Sequence, residues 1–157
     1  MATLQVFSSV PTELNQEMSS ETQFADGKVL TVKVLSEGII NNKLGDTENR
    51  KVSIYLPPGY DENGKTNYPV IYMLSDFNGT NEDWCKTFGQ SNLPGILDKS
   101  IKSGKIKPVI MVFPDGKNKV GGGWYTNSAV AGNWEDFVVS DVVNYIDQNF
   151  HTLPFAA

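Results

Sequence analysis

Two kinds of hydrophobic pattern divide the chain. In the first, apolar and polar residues alternate. Leu30, Val32 and Val34 share one face of the run KVLTVKVL (28–35), and Val52-Ser53-Ile54-Tyr55-Leu56 repeats the period until Pro57-Pro58-Gly59 stops it. A period of two predicts half-buried strands, and the prolines give the second one a hard ending. In the second kind the apolar run is unbroken. Residues 70–74 and 109–113 each follow a proline and end at a polar turn. A strand apolar on both faces must be covered on both, which is the habit of a parallel sheet flanked by helices.

Between these runs Leu93, Ile96, Leu97 and Ile101 fall near helical spacing and Gly104 stops them, so the order is strand, helix, strand. The longest helical pattern is 134–150, where Trp134, Phe137, Val138, Val142, Tyr145 and Ile146 form one apolar face. Asn133 is its expected N-cap. Glu135 and Asp136 stand in the first turn, where the helix dipole favours negative charge. His151-Thr152-Leu153-Pro154 follow, and no further strand pattern comes after them. The pattern predicts an α/β fold, with residues 28–157 as one partial domain behind a weakly patterned arm over 1–27. A sheet of this kind keeps an open edge, through which self-association is expected.

Composition removes several classes of function. A chain of 157 residues holds one domain with a real core. With 39% hydrophobic and 20% charged residues, it is neither a disordered nor a membrane sequence. A net charge of -5 leaves no basic surface for nucleic acid. The short basic run 99–107 is broken by Ser and Gly and reads as a solvated helix end. One cysteine, Cys85, excludes an internal disulfide and a cysteine metal cluster, and with one histidine, His151, no metal or other cofactor is expected. The first ten residues lack the basic start and apolar stretch of a signal peptide, so a cytoplasmic chain, or one whose leader has been removed, is expected.

Motifs that would carry chemistry alone are missing. The glycines of 116–123 do not close in Gly-Lys-Ser/Thr, so Gly121-Gly122-Gly123 reads as a flexible surface turn and not a phosphate loop. The dinucleotide fingerprint lacks its third glycine, and Gly-x-Ser-x-Gly occurs nowhere. His151 follows a helix C-terminus, where a partly positive imidazole is favourable. Cys85, beside Trp84, reads as a small hydrophobe. Asp76 and Asp115 each follow a buried strand, at the ligand edge of an α/β sheet. Asn78-Gly79-Thr80 fits an N-glycosylation acceptor, relevant only to a secreted chain.

The ordered segments say more than any one residue. Residues 50–84, RKVSIYLPPGYDENGKTNYPVIYMLSDFNGTNEDW, resemble the opening of an esterase branch of the α/β-hydrolase superfamily. That branch includes feruloyl and acetyl-xylan esterases, the esterase-D/S-formylglutathione hydrolase group and enterochelin esterases. The resemblance continues through GKIKPVIMVFPDG (104–116) and WYTNSAVAGNWEDFVVSDVVNYIDQNF (124–150).

It implies the N-terminal part of an α/β-hydrolase sheet: antiparallel first strands, then parallel strands with crossover helices. In the family the strand matching 70–74 is followed by His-Gly and a turn whose N–H helps to build the oxyanion hole. The matching positions here are Ser75 and Asp76, with Phe77 as the N–H donor. Asp76 departs from the pattern, because glycine is expected there and a carboxylate opposes the developing oxyanion. The resemblance further places Asp76, Trp124, Tyr125, Asn133 and Trp134 at the substrate cleft.

The family's nucleophilic serine lies on the strand after the helix matching 134–150, with its acid and histidine later still. None of the three lies within this chain. The expectation is therefore a truncated serine carboxylesterase whose full-length form acts on feruloyl or acetyl polysaccharide, or on a small ester or thioester. The isolated chain is then inactive. The alternative is a non-catalytic binding module on an esterase-like scaffold, which Asp76 favours; a third arrangement supplies the catalytic half in trans from a second chain.

Overall fold

The computed structural model describes residues 26–86 and 92–153. Of the expected arm, residues 1–25 lie outside the described residues. Gly27 is fixed by its N–H, which donates to Asp98 Oδ2 at 3.0 Å.

Strands β1 (Lys28–Leu35) and β2 (Asn49–Leu56) pair antiparallel, with Leu30 opposite Ile54 and Lys33 opposite Lys51. β3 (Val70–Tyr72) and β4 (Ile110–Pro114) pair parallel, joined through helix α1 (Leu93–Lys102). The sheet order is β1-β2-β4-β3, so β4 inserts between the two strands that precede it and runs antiparallel to β2. This is the mixed sheet that the resemblance implies.

Both faces of the central strands are covered. Val52, Ile54, Leu56, Ile110 and Val112 pack with Val34 on one side against Trp134, Phe137, Val138, Val142 and Ile146. On the other side Tyr55, Met111 and Phe113 meet Leu97 of α1. The alternating pattern of 52–56 predicts a half-buried strand, yet every residue of that run is buried. Its polar members are satisfied inside: Tyr55 donates to Asp98 Oδ1 at 2.6 Å and Ser53 Oγ accepts from Asn81 Nδ2 at 2.7 Å. That pairing removes the cost of burying them. β3 is instead an edge strand, with Ile71 exposed, so its continuous apolar run is covered less than the pattern implies.

Asn92 caps α1 by accepting from the Gly95 N–H at 2.7 Å, and Gly104 ends it with φ at +70°. The 134–150 pattern becomes α2 (Trp134–Asp136), a π-helical segment (Phe137–Val142) and α3 (Val143–Asn149). Bonding from i to i+5 widens the middle turn. Phe137 and Val142, five residues apart, are both fully buried. Asn133 is not the side-chain cap. It sits in a two-residue strand, β6 (Gly132–Asn133), paired with β5 (Asn127–Ser128). The Asn127 side chain takes its place, accepting from the N–H groups of Glu135 at 3.0 Å and Asp136 at 3.3 Å.

Candidate functional site

Loops that leave the C-terminal ends of parallel strands meet at the ligand edge of an α/β sheet. Here they are 73–80, after β3, and 115–125, after β4. Met73 still follows the sheet, its N–H donating to the Val112 carbonyl at 2.8 Å. The chain then turns, and the Gly79 N–H donates back to the Asp76 carbonyl at 3.0 Å. Gly79 is required at this point: a Cβ there would lie 2.4 Å from Ser75 Cβ.

Tyr125 joins the two loops. Its phenol oxygen accepts from the Ser75 N–H at 3.2 Å and lies 2.8 Å from Ser75 Oγ. The phenol proton is left for Ser75 Oγ or for the Pro114 carbonyl at 3.5 Å. Burial raises the Tyr125 pKa, against the opposing effect of the Ser75 hydrogen bonds, so the group stays a neutral phenol. Gly116 makes room for it, since a Cβ there would lie 2.2 Å from the phenol oxygen.

Next to this link, the Phe77 and Trp124 rings stand 5.4 Å apart, and Trp124 is 73% exposed. Trp124 and Tyr125 both hold left-handed backbone, at φ 54° and 52°, an uncommon conformation for aromatic residues. Gly121, at φ 110°, faces Asn78 Oδ1 and the Phe77 ring, and Gly122 faces the Asn78 amide. These glycines are close-approach positions against the 73–80 loop, a packing role that their reading as a flexible surface turn missed. Among the described residues the Phe77 N–H has no hydrogen-bond acceptor.

Of the residues expected at the cleft, Asp76, Trp124 and Tyr125 come together, with Ser75 and Phe77 of the turn and with Gly116, Gly122 and Gly123. Asp76 is exposed, and its carboxylate leans toward Gly79. Trp134 is a correction. It is 1% exposed, donates to the Ala131 carbonyl at 2.9 Å and meets Phe137 edge-on at 6.1 Å, so it is core and not cleft surface. Asn133 is exposed but packs beside Gly38, outside this cluster.

Sequence reasoning missed Arg50. It is buried beneath the ligand edge, with Nη2 3.3 Å from Asp115 Oδ2 and donating to the Lys117 carbonyl, and its guanidinium lies 4.7 Å over the Trp134 ring. Burial nonetheless raises the Asp115 pKa, with Arg50 the strongest opposing influence. A charged residue leading into an apolar strand was the available signal.

His151 and Cys85 lie apart from the cluster. The His151 ring is 3.0 Å from the Glu62 carbonyl, at the opposite end of β3. The Cys85 thiol is pushed up by burial against the α1 side of the sheet. Among the described residues no group of three His, Cys, Asp or Glu side chains could hold a metal. No helix among them is long and apolar enough to cross a membrane.

A central mixed sheet with helices on both faces and loops converging beyond β3 and β4 is the α/β architecture that the resemblance implies. The chain belongs to the esterase family described as "Putative esterase", which matches residues 45–156. An esterase of Mycobacterium tuberculosis is 38% identical over 108 residues, covering 66% of this chain and 21% of its own length. The endo-1,4-beta-xylanase/feruloyl esterase of Xylanibacter ruminicola is 33% identical over 103 residues, covering 64% of this chain and 14% of its own. The chain therefore spans about a fifth or less of the curated relatives it matches.

Among solved structures, a ferulic acid esterase superposes with a TM-score of 0.67 at 21% identity, over 82% of this chain and 44% of the other. The ferulic acid esterase of Anaeromyces mucronatus, solved with ferulic acid, gives 0.58 at 19% identity, over 96% of this chain and 52% of its own. At such identities the likeness is one of fold.

Proposed function

We propose that these residues are the opening part of a serine carboxylesterase acting on carbohydrate-borne or small esters, and that alone they turn over no ester. The observation that carries this reading is the path of the chain after α3. Thr152 forms a parallel bridge with Tyr68. The Tyr68 N–H donates to the His151 carbonyl and the Leu153 N–H to the Tyr68 carbonyl, both at 2.9 Å. The segment after the helix thereby runs parallel to the chain just before β3, a direction that supports a following strand beside β3, where the family's nucleophile strand is expected.

In this reading the Phe77 N–H donates to the oxyanion that develops on the ester carbonyl, and the Tyr125–Ser75 link holds the turn in place beforehand. Phe77 and Trp124 form an aromatic wall for the substrate, with Tyr125 and Asp76 beside it. The serine oxygen adds to the carbonyl, the alcohol leaves with a proton, and water releases the acid from the acyl-enzyme. In this reading the serine, its histidine and its acid come from residues other than these 157, since the three must meet within hydrogen-bond reach and the single histidine, His151, stands at the end of β3 opposite the Phe77 turn. Labelling the intact gene product with a serine-directed phosphonate and mapping the adduct tests this. An adduct on a serine outside these residues supports it, and one on a serine among them overturns it.

Asp76 favours a second reading, a non-catalytic binding module on the same scaffold, because a carboxylate in the oxyanion turn works against anion stabilisation. The gene sequence past Ala157 separates the two. In-frame continuation into Gly-x-Ser-x-Gly supports the esterase, and a stop codon supports the module.

A further inference from the structure

On the α1 side of the sheet a polar groove of about 800 Å³ opens, and Asp115 forms part of its lining. Asp115 directly precedes Gly116 of the candidate site, so the groove adjoins that site along the ligand edge. Its charged lining residues are Lys33, Arg50, Lys51, Lys86, Glu82 and Asp115. Two cations are already matched: Arg50 with Asp115 at 3.3 Å, and Lys86 with Glu82 at 3.4 Å.

Lys33 and Lys51 are left. They are direct cross-strand partners of β1 and β2, so their side chains project from the same face, and both are exposed. Neither forms an ion pair among the described residues. Like charges placed opposite each other in an antiparallel pair are unfavourable. On a chain of net charge -5 this local excess of two positive charges runs against the overall balance. Thr47 and Asn49 complete the exposed wall with hydrogen-bonding groups, while Asn81 is buried on Ser53 and the Thr80 hydroxyl donates to Asp83; no large apolar side chain lines the groove.

We infer that this groove binds an anionic sugar, with Lys33 and Lys51 holding its carboxylate and the exposed Thr47 and Asn49 side chains its hydroxyls. Two ammonium groups on one face suit a single anionic group, and the polar wall suits a hydroxyl-rich body. The position beside the candidate site makes the groove a subsite for the alcohol part of an ester. The choice of a sugar rests on the carbohydrate-ester reading above; the cation pair itself does not.

The test is binding, so it is independent of whether the protein hydrolyses anything. Titrate the intact gene product with D-glucuronate, D-glucose and inorganic phosphate in low salt, following backbone amide shifts in β1 and β2. The expected result is saturable binding of glucuronate, weakened at least tenfold in the Lys33→Ala/Lys51→Ala variant with an unchanged melting temperature, and weakened likewise by salt. Binding of glucose as tightly as glucuronate removes the role of the lysines. Phosphate binding as tightly as glucuronate removes the sugar. Absence of glucuronate binding removes the site.

Discussion

The phenol oxygen of Tyr125 stands 2.8 Å from Ser75 Oγ and accepts the Ser75 N–H at 3.2 Å, joining two loops that begin on different strands, fifty residues apart. Through this contact the turn that presents the Phe77 N–H is tied to the loop after β4. Neither loop is held in place by sheet pairing beyond Met73 and Asp115.

Replacing Tyr125 with Phe removes the hydroxyl and leaves the ring on Gly116. The expected loss is about 1 kcal/mol of stability, the net worth of a buried hydrogen bond, read from urea unfolding of the intact protein. The proposed esterase should also lose about tenfold in kcat as the oxyanion turn loosens, equivalent to ~1.4 kcal/mol of barrier. An unchanged kcat would show that the turn does not depend on this link.

Trp134→Ala separates core from cleft. At 1% exposure, between Phe137 and the Arg50 guanidinium, its loss should cost about 3–5 kcal/mol in denaturant unfolding. A variant of near-normal stability with a raised KM would return Trp134 to the substrate cleft.

Asp83 sets an acid limit. Its pKa is lowered below the ordinary 3.8, first by the Thr80 N–H donating at 2.7 Å and further by the Thr80 hydroxyl and Lys86, against some desolvation. A carboxylate with a depressed folded pKa contributes stability above its unfolded value and loses it as pH falls through the folded one. Asp83→Asn should therefore be less stable than the wild type at pH 7, with the gap closing below about pH 3.8. Thermal melts at pH 7, 4 and 2.5 measure it. A gap that stays constant with pH would contradict the linkage.

Much of the fold was legible because periodicity reports burial. The strands over 28–35 and 109–113 and the stop at Gly104 follow directly from it. Periodicity does not report which strands are neighbours: the resemblance implied a mixed sheet, and the insertion of β4 between β2 and β3 came only from the structure. The full burial of Ser53 and Tyr55 depends on Asn81 and Asp98, both distant in sequence, and alternation alone reads such residues as solvent-facing. The site was half legible. Ser75, Asp76, Phe77, Trp124 and Tyr125 line one small cluster, while Trp134 lies in the core; an aromatic at a helix start looks alike in core and cleft. The capping role of Asn127 and the Arg50–Asp115 pair arise from chain crossings that local spacing does not encode. The short return of 151–153 to Tyr68, just before β3, carries no hydrophobic period of its own.

Ester turnover by the 157 residues alone tests the proposed division of labour most directly. With p-nitrophenyl acetate as substrate, the prediction is no saturable turnover and no effect of a serine-directed phosphonate. Saturable hydrolysis that the phosphonate abolishes would put a working nucleophile among these residues and contradict the proposal.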